Sequence, residues 1–350
     1  MVPPPTHTYP AWPLPGTLLL YAGFALVALA ASELAHILLP HDPLQPLSLL
    51  FSRNGYFSAG LRILDQSILY AALLCCVSAA AAAAVPRPAD AGLLLASLTL
   101  AVLALHRPAT DALLFVAIEY PNELPRTLTY LLLALEALLW AAILTAAWGS
   151  GRLVEQRLRK AQHHLPLLCT RDHPLGAAPT TAPSFWADAR NVRRDAIVLL
   201  LPVCIIVAQI MARSADIGQT AFAWAIAGFC AAFVAHQATR FQCLCWPVLA
   251  AGAAAAIGFA LAPAFVTPDA SAYQPALGMA GATPALQLSA AAAAAVVGTW
   301  TSERFVRLAS AEKARAAWPG ALPDPHPHPH TPPVHPSPAN PAQTSRGPSA

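Results

Sequence analysis

The sequence predicts an all-α, polytopic integral membrane protein of about eight transmembrane helices, arranged four plus four, with a disordered C-terminal tail. Two observations lead to this fold class. First, 57% of the 350 residues are hydrophobic and only 11% are charged, whereas about 25% of the residues in a soluble domain are charged. Second, the charges are clustered, which leaves apolar stretches close to the roughly 20 residues that a helix needs to cross the hydrocarbon core.

Eight apolar stretches are predicted to cross the membrane. They cover approximately residues 17–39, 64–86, 91–106, 127–149, 196–212, 219–239, 246–266 and 285–302. The third would be only about 24 Å long as a helix at 1.5 Å per residue, so a tilted, re-entrant or broken segment near Pro108 is an alternative. No Lys or Arg precedes Arg53, so the first stretch lacks the basic region of a cleaved signal peptide.

These stretches divide the chain into five regions. They are a short Pro-rich segment (1–16), a first membrane bundle (17–149), a basic connecting segment (150–195), a second membrane bundle (196–302) and a Pro/His-rich tail (303–350), disordered from about 316. The connecting segment begins with "GRLVEQRLRKAQHHL", where apolar residues recur at helical spacing among basic ones. Such a helix is expected to lie along the anionic membrane surface.

The distribution of basic residues predicts which side of the membrane each segment faces. If the N-terminus is cytoplasmic and all eight stretches cross, 15 of the 20 basic residues fall in cytoplasmic segments. This satisfies the positive-inside rule and places the C-terminus in the cytoplasm. Removing the third span reverses the first two and also satisfies the rule, so their orientation stays open. The 18 arginines against two lysines and the long alanine runs indicate a GC-rich genome, which favours a bacterial inner membrane.

An acidic side chain, Glu136, lies near the middle of the fourth predicted span. No Lys or Arg lies in the interior of any predicted span. We expect the carboxyl group to be protonated unless water reaches it, because an ionised carboxylate is costly in hydrocarbon. Small residues such as Ala137 and Ala141 lie on another side of this helix, where they would form a close-packed seam.

Two interpretations of Glu136 are open. In the structural interpretation, its carboxyl group bonds to a neutral group on another helix. The candidate partners are Ser78, Ser97, Thr99 and Gln209. In the functional interpretation, Glu136 lines a water-filled path and exchanges a proton or binds a cation during transport.

A second polar group is predicted toward the outer side of the membrane. Its members are Glu33, His36, Arg62, Asp65 and His106. The first four are, with Glu136, the candidates for a transport path, and we expect them to line its outer entrance. Pairing of Arg62 with Asp65 or Glu33 at a helix interface is the structural alternative. Glu33 and His36 are three residues apart and therefore share a helical face. Metal sites in helical bundles use Glu-x-x-His pairs together with a second such pair, which this sequence lacks. His36 and His106 could instead ligate a b-type haem, each from its own helix.

Soft and imidazole ligands on the cytoplasmic side suggest a further metal site. The candidates are His163, His164, Cys169, His173, Cys243 and Cys245. Side chains of these types suit zinc or copper. Their spacing matches no zinc finger or ribbon, and histidines in a basic loop are usually solvated, so no resident cofactor is predicted.

Motifs that are missing from the sequence narrow the range of possible functions. There is no G-x-x-x-x-G-K-[ST] loop, no H-E-x-x-H and no G-x-S-x-G, which argues against an ATPase or an enzyme of those classes. The expectation is a transport protein, either a secondary carrier or a permease subunit whose ATPase is a separate chain. Its partners would be the lipid bilayer and other membrane subunits, not nucleic acid. The alternatives are a scaffold or assembly component and a haem- or metal-binding redox protein.

Overall fold

A computed structural model describes residues 23, 26–31, 33, 49–50, 61–84, 88–105, 126–160, 194–213, 216–239, 241, 243–265 and 280–317. Within these ranges, some side chains at helix ends are not described, including those of residues 61–65 and 158–160. The described residues are helical except for short connections, and none of them lies in a strand. The prediction of an all-α protein is confirmed.

The structure gives the bounds of seven helices within the described residues. We number them α1 (Leu61–Ala84), α2 (Pro88–Leu105), α3 (Arg126–Lys160), α4 (Arg194–Met211), α5 (Ile217–Thr239), α6 (Cys245–Leu261) and α7 (Pro284–Ala317). A 3-10 turn, Ala262–Phe265, continues α6. Residues 26–31 of the first predicted span are helical as well. By their internal contacts, residues 1–305 and 306–350 form two compact units. The boundary between them along the chain falls within α7.

Within the described ranges, four helices are long and apolar enough to cross a membrane. Their apolar segments are Gln66–Ala83, Thr127–Arg157, Ile217–Thr239 and Cys245–Phe265. Two shorter apolar helices cover Asp90–Leu105 and Ala196–Met211. These lengths and compositions are compatible with a location in the membrane. Pro88 opens α2, and Asp90 lies in its first turn, where a proline and an acidic side chain both favour a helix start.

Helix α3 is longer than the sequence predicts. Its 35 residues extend for about 52 Å at 1.5 Å per residue, so "GRLVEQRLRK" continues α3 and does not form a separate helix. Two contacts accompany this extension. Ser150 donates a hydrogen bond to the Cys75 carbonyl of α1 at 3.0 Å, and Arg152 pairs with Glu155 at 2.8 Å. The glycines at 149 and 151 therefore lie inside a continuous helix.

The described helices share one large hydrophobic core. Helices α1, α2 and α3 pack against one another, α6 packs against both α3 and α4, and α4 packs against α5. The buried residues of this core come from the chain segments before and after residues 161–193 alike. Helix α6 therefore connects the two predicted groups of helices.

Glycines allow the closest helix contacts. A Cβ atom added to Gly228 of α5 would collide with the backbone of Ala291 in α7, and one added to Gly298 of α7 would collide with the backbone of Phe229. On the other side of the core, Gly252 of α6 faces Ala141 of α3. Small residues of this kind let helix backbones approach in a membrane bundle. The predicted alanine seam of α3 is thus the surface that meets α6.

We expect Gly228→Ala to lower the free energy of unfolding by about 1–3 kcal/mol, because the new methyl group overpacks a contact with backbone that cannot move aside. Gly218→Ala is the matched control, because nothing lies within 4 Å of a Cβ added there, and its helix propensity improves. Thermal unfolding in detergent measures both. Equal midpoints for the two variants would contradict the close α5–α7 contact.

Candidate functional site

Glu136 lies on the buried face of α3. Its side chain is 0% exposed. Trp140, one turn later on the same helix, donates its indole Nε1–H to Glu136 Oε1 at 3.1 Å. Trp140 is also 0% exposed, and an i, i+4 spacing brings two side chains together on one helix face. The carboxyl group is therefore held partly by its own helix.

The second donor to Glu136 comes from a part of the chain far away in sequence. The backbone N–H of Leu49 donates to the same oxygen, Oε1, at 3.1 Å. Leu49 and Leu50 lie in a bend that precedes α1. The two donors together meet the requirement that a buried polar group be hydrogen-bonded.

The bend at residues 49–50 is enclosed by the helices. Leu49 is 0% and Leu50 2% exposed. Leu50 belongs to a cluster with Tyr130 and Leu133 of α3 and Phe259 of α6. Since α3 begins and α6 ends where these residues lie, the bend enters the bundle at that end.

An aromatic contact lies beside the hydrogen bond between Trp140 and Glu136. Tyr70 of α1 meets Trp140 edge to face, with the ring centroids 5.4 Å apart. Tyr70 is 2% exposed. The edge-to-face arrangement orients the indole ring, so α1 contributes indirectly to the hydrogen bond between Trp140 and Glu136.

The donors described at Glu136 are not the partners that the sequence suggested. Among the described residues, the Ser78 and Ser97 hydroxyls have no hydrogen-bond partner, Thr99 bonds to the Leu95 carbonyl of its own helix, and Gln209 is exposed. Both described donors are neutral groups. A backbone N–H in a connection carries no side-chain signal, so sequence patterns could not find it.

The outer polar group is described only in part. Glu33 is exposed on a helical residue. Arg62 and Asp65 lie within the first turn and a half of α1, but their side chains are outside the description. His36 and His106 lie outside the described residues. A joint role for these five residues, and the haem hypothesis, stay predictions.

Of the predicted metal ligands, the structure describes one pair. Cys243 and Cys245 are buried, with their sulfur atoms 2.7 Å apart. His163, His164, Cys169 and His173 lie outside the described residues. Among the residues that the structure describes, no group of three or more His, Cys, Asp or Glu side chains could hold a metal ion.

A polar cluster near the C-terminal end of α5 was missed by sequence reasoning. His236 of α5 is 2.7 Å from the Ser302 hydroxyl of α7, measured from Nδ1. Gln237 donates to the Ser302 carbonyl at 3.2 Å, and Trp300 donates its indole N–H to Asp90 of α2 at 3.1 Å. The residues are ordinary in sequence, and only the packing of α2, α5 and α7 brings them together.

Comparison with protein-family models, with curated proteins and with solved structures gives no significant match. The function is therefore argued from the arrangement of the residues alone.

We expect Glu136→Leu to destabilise the protein by at least about 1–3 kcal/mol, because the Leu49 and Trp140 donors would both be left unpaired in the core. Glu136→Gln keeps a carbonyl oxygen at the same position, so its loss should be much smaller. Thermal unfolding of the two variants in one detergent compares them. An unfolding midpoint for Glu136→Leu equal to that of Glu136→Gln would show that the two bonds contribute little.

Proposed function

We propose that this chain is a multi-span membrane transport protein in which Glu136 is the coupling or gating acid. The observation that carries the proposal is the hydrogen bond from the non-helical backbone of Leu49 to Glu136. The transport protein is either a secondary carrier or a permease subunit that works with a separate ATPase chain. Other membrane subunits and the bilayer are its partners, and nucleic acid is not.

The depth of this bond supports the proposal. Glu136 follows Thr127, the first residue of an apolar segment, by nine residues, which corresponds to about 14 Å along the helix. This is close to half of the roughly 30 Å hydrocarbon thickness. If the hydrocarbon begins at Thr127, Leu49 lies near the same depth, because its backbone N–H bonds to Glu136. Non-helical backbone at membrane depth is tolerated where it is buried in protein or lines a water-filled cavity, and transporters place such breaks at their binding sites.

Proton exchange at Glu136 would change how firmly the bend is held. Hydrogen bonds to an ionised carboxylate are roughly twice as strong as those to a neutral acceptor. Uptake of a proton therefore weakens the bonds from Leu49 and Trp140, and loss of the proton strengthens them. Because both donors meet at one oxygen, one protonation event acts on the bend and on α3 together. This links a proton to a local rearrangement, which is the requirement for coupling.

We also propose eight membrane crossings, arranged four plus four, with both termini on the cytoplasmic side of a bacterial inner membrane. Contacts near one end of the helices support the third crossing. Gly92 of α2 lies against Ser78 of α1, and Trp300 of α7 bonds to Asp90 of α2. Helix α2 thus starts beside the end of α1 and runs back along the core. Its 18 residues measure about 27 Å, which is near the hydrocarbon thickness.

A membrane scaffold without transport is the second candidate. It is favoured by contacts that hold helices together: His236 bonds to Ser302, and Gly228 packs on Ala291. In a scaffold, the only role of Glu136 would be to hold the bend against α3 by accepting the hydrogen bond from Leu49. The two candidates differ in whether the ionisable proton of Glu136 is needed.

We expect Glu136→Gln to abolish solute-dependent proton movement in proteoliposomes, because the amide keeps the acceptor oxygen but cannot exchange a proton. The assay reads a pH-sensitive dye inside the vesicles while amino acids, sugars and inorganic ions are offered in turn. Glu155→Gln is the matched control, because Glu155 is a buried acid paired with Arg152 and has no part in the site. Intact movement in Glu136→Gln would refute the coupling role. A folded wild type that moves no proton with any solute, and copurifies without an ATPase, would favour the scaffold.

We expect tags attached before Met1 and after Ala350 to lie on the same, cytoplasmic side of the membrane. Eight crossings return the chain to the side from which it started, whereas seven place the termini on opposite sides. Protease digestion of spheroplasts and of inverted vesicles distinguishes the two. A tag before Met1 that is cleaved in intact spheroplasts would show that α2 does not cross.

A further inference from the structure

Two thiols meet where the connection from α5 enters α6. Cys243 lies in this connection, and Cys245 is the first residue of α6. Their Sγ atoms are 2.7 Å apart, which is within easy reach of the roughly 2 Å sulfur–sulfur bond of a disulfide. Cys243 is 2% and Cys245 3% exposed. The two thiols are thus held in contact inside the core and not on an exposed surface.

The surroundings favour a covalent bond between the thiols over a metal ion. A structural zinc site needs four ligands, and the described residues hold no group of three metal-binding side chains. The intervening Leu244 and the nearby Phe241 are apolar and buried as well. Within the described residues, two sulfur atoms among apolar neighbours have the composition that a disulfide requires.

We propose that Cys243 and Cys245 form a redox site that closes to a disulfide on reaction with a hydroperoxide. The co-reactant is of this class because a small uncharged molecule can reach thiols that are almost fully buried. Either sulfur can be the attacking atom, because the two lie in direct contact and each can close onto a sulfenic acid formed on the other.

The reaction has two steps. The thiolate of one cysteine attacks an oxygen of hydrogen peroxide, the O–O bond breaks, and the departing hydroxide takes the proton that this thiol lost and leaves as water. The product is a sulfenic acid on that cysteine. The thiol of the other cysteine then attacks that sulfur, the S–O bond breaks, and a second water leaves with the thiol proton. Two thiols are oxidised by two electrons, and one peroxide is reduced to two waters.

The disulfide would tie the α5–α6 connection to the first turn of α6. The closed ring contains Leu244, whose carbonyl accepts the first hydrogen bond of α6 from Val248. Oxidation therefore acts on the start of the helix that packs against α3 at Gly252. In a reducing compartment such a bond is transient, so the dithiol is the resting form and the disulfide the response to peroxide. This chemistry does not depend on the transport proposal.

The test is mass spectrometry of the full-length protein in detergent, reduced with a phosphine and then treated with hydrogen peroxide. We expect the peptide that contains Cys243 and Cys245 to lose two hydrogen atoms and to regain them on renewed reduction. Cys204, which is buried in α4 without a nearby thiol partner in the description, should stay reduced under the same treatment. Dimedone should label Cys245 in Cys243→Ser, where the sulfenic acid cannot close, and should not label the wild type.

Three outcomes would overturn the proposal, and two of them need no variant. One is a wild-type peptide whose two thiols remain fully alkylatable after peroxide treatment and denaturation. Another is oxidation to sulfinic or sulfonic acid without a bridged product. The third is a metal ion that copurifies with the wild type in a one-to-one ratio and is lost on Cys243→Ser, which would make the pair a metal site.

Discussion

A polar group in hydrocarbon has to find its partner within the protein, and the pairing of Glu136 with Leu49 and Trp140 is the point at which this constraint shapes the molecule. The bend at residues 49–50 brings backbone N–H groups into the core, where no water can satisfy them. Glu136 accepts one of these groups, and the same carboxyl oxygen accepts the indole N–H of Trp140. Burying either the backbone N–H of Leu49 or the carboxyl group of Glu136 without its partner would cost free energy.

The helices around this pair are held by a different kind of contact. Ala137, the residue next to Glu136, and Ala141 face Gly252, so the backbone of α3 is fixed against α6 beside the site. Close backbone contacts of this kind do not change with protonation, whereas the hydrogen bonds of Glu136 do. This difference between helix packing and a titratable hydrogen bond is the physical basis of the proposed transport role.

The starts of the described helices follow closely from the sequence, because an apolar stretch long enough to cross hydrocarbon is stable there only as a helix. The ends of α3 and α7 did not follow, since α3 continues to Lys160 and α7 to Ala317. Charged residues after 149 indicate where the chain leaves the hydrocarbon, but they do not end a helix, and neither do single glycines when other contacts compensate. Ser150 bonds to α1 and Arg152 pairs with Glu155. These contacts depend on a neighbouring helix and on side-chain geometry, so periodicity alone predicted a boundary that is not there.

The sequence by itself determined that the protein is helical and apolar, and that Glu136 lies within one of its apolar helices. It could do so because composition and spacing along one helix are local properties. Only the tertiary structure decided which groups donate to Glu136, that Cys243 meets Cys245, and that His236 meets Ser302. Leu49 and Glu136 are 87 residues apart, and their meeting depends on how the helices pack, because packing joins residues whose separation along the chain carries no signal of their distance in space.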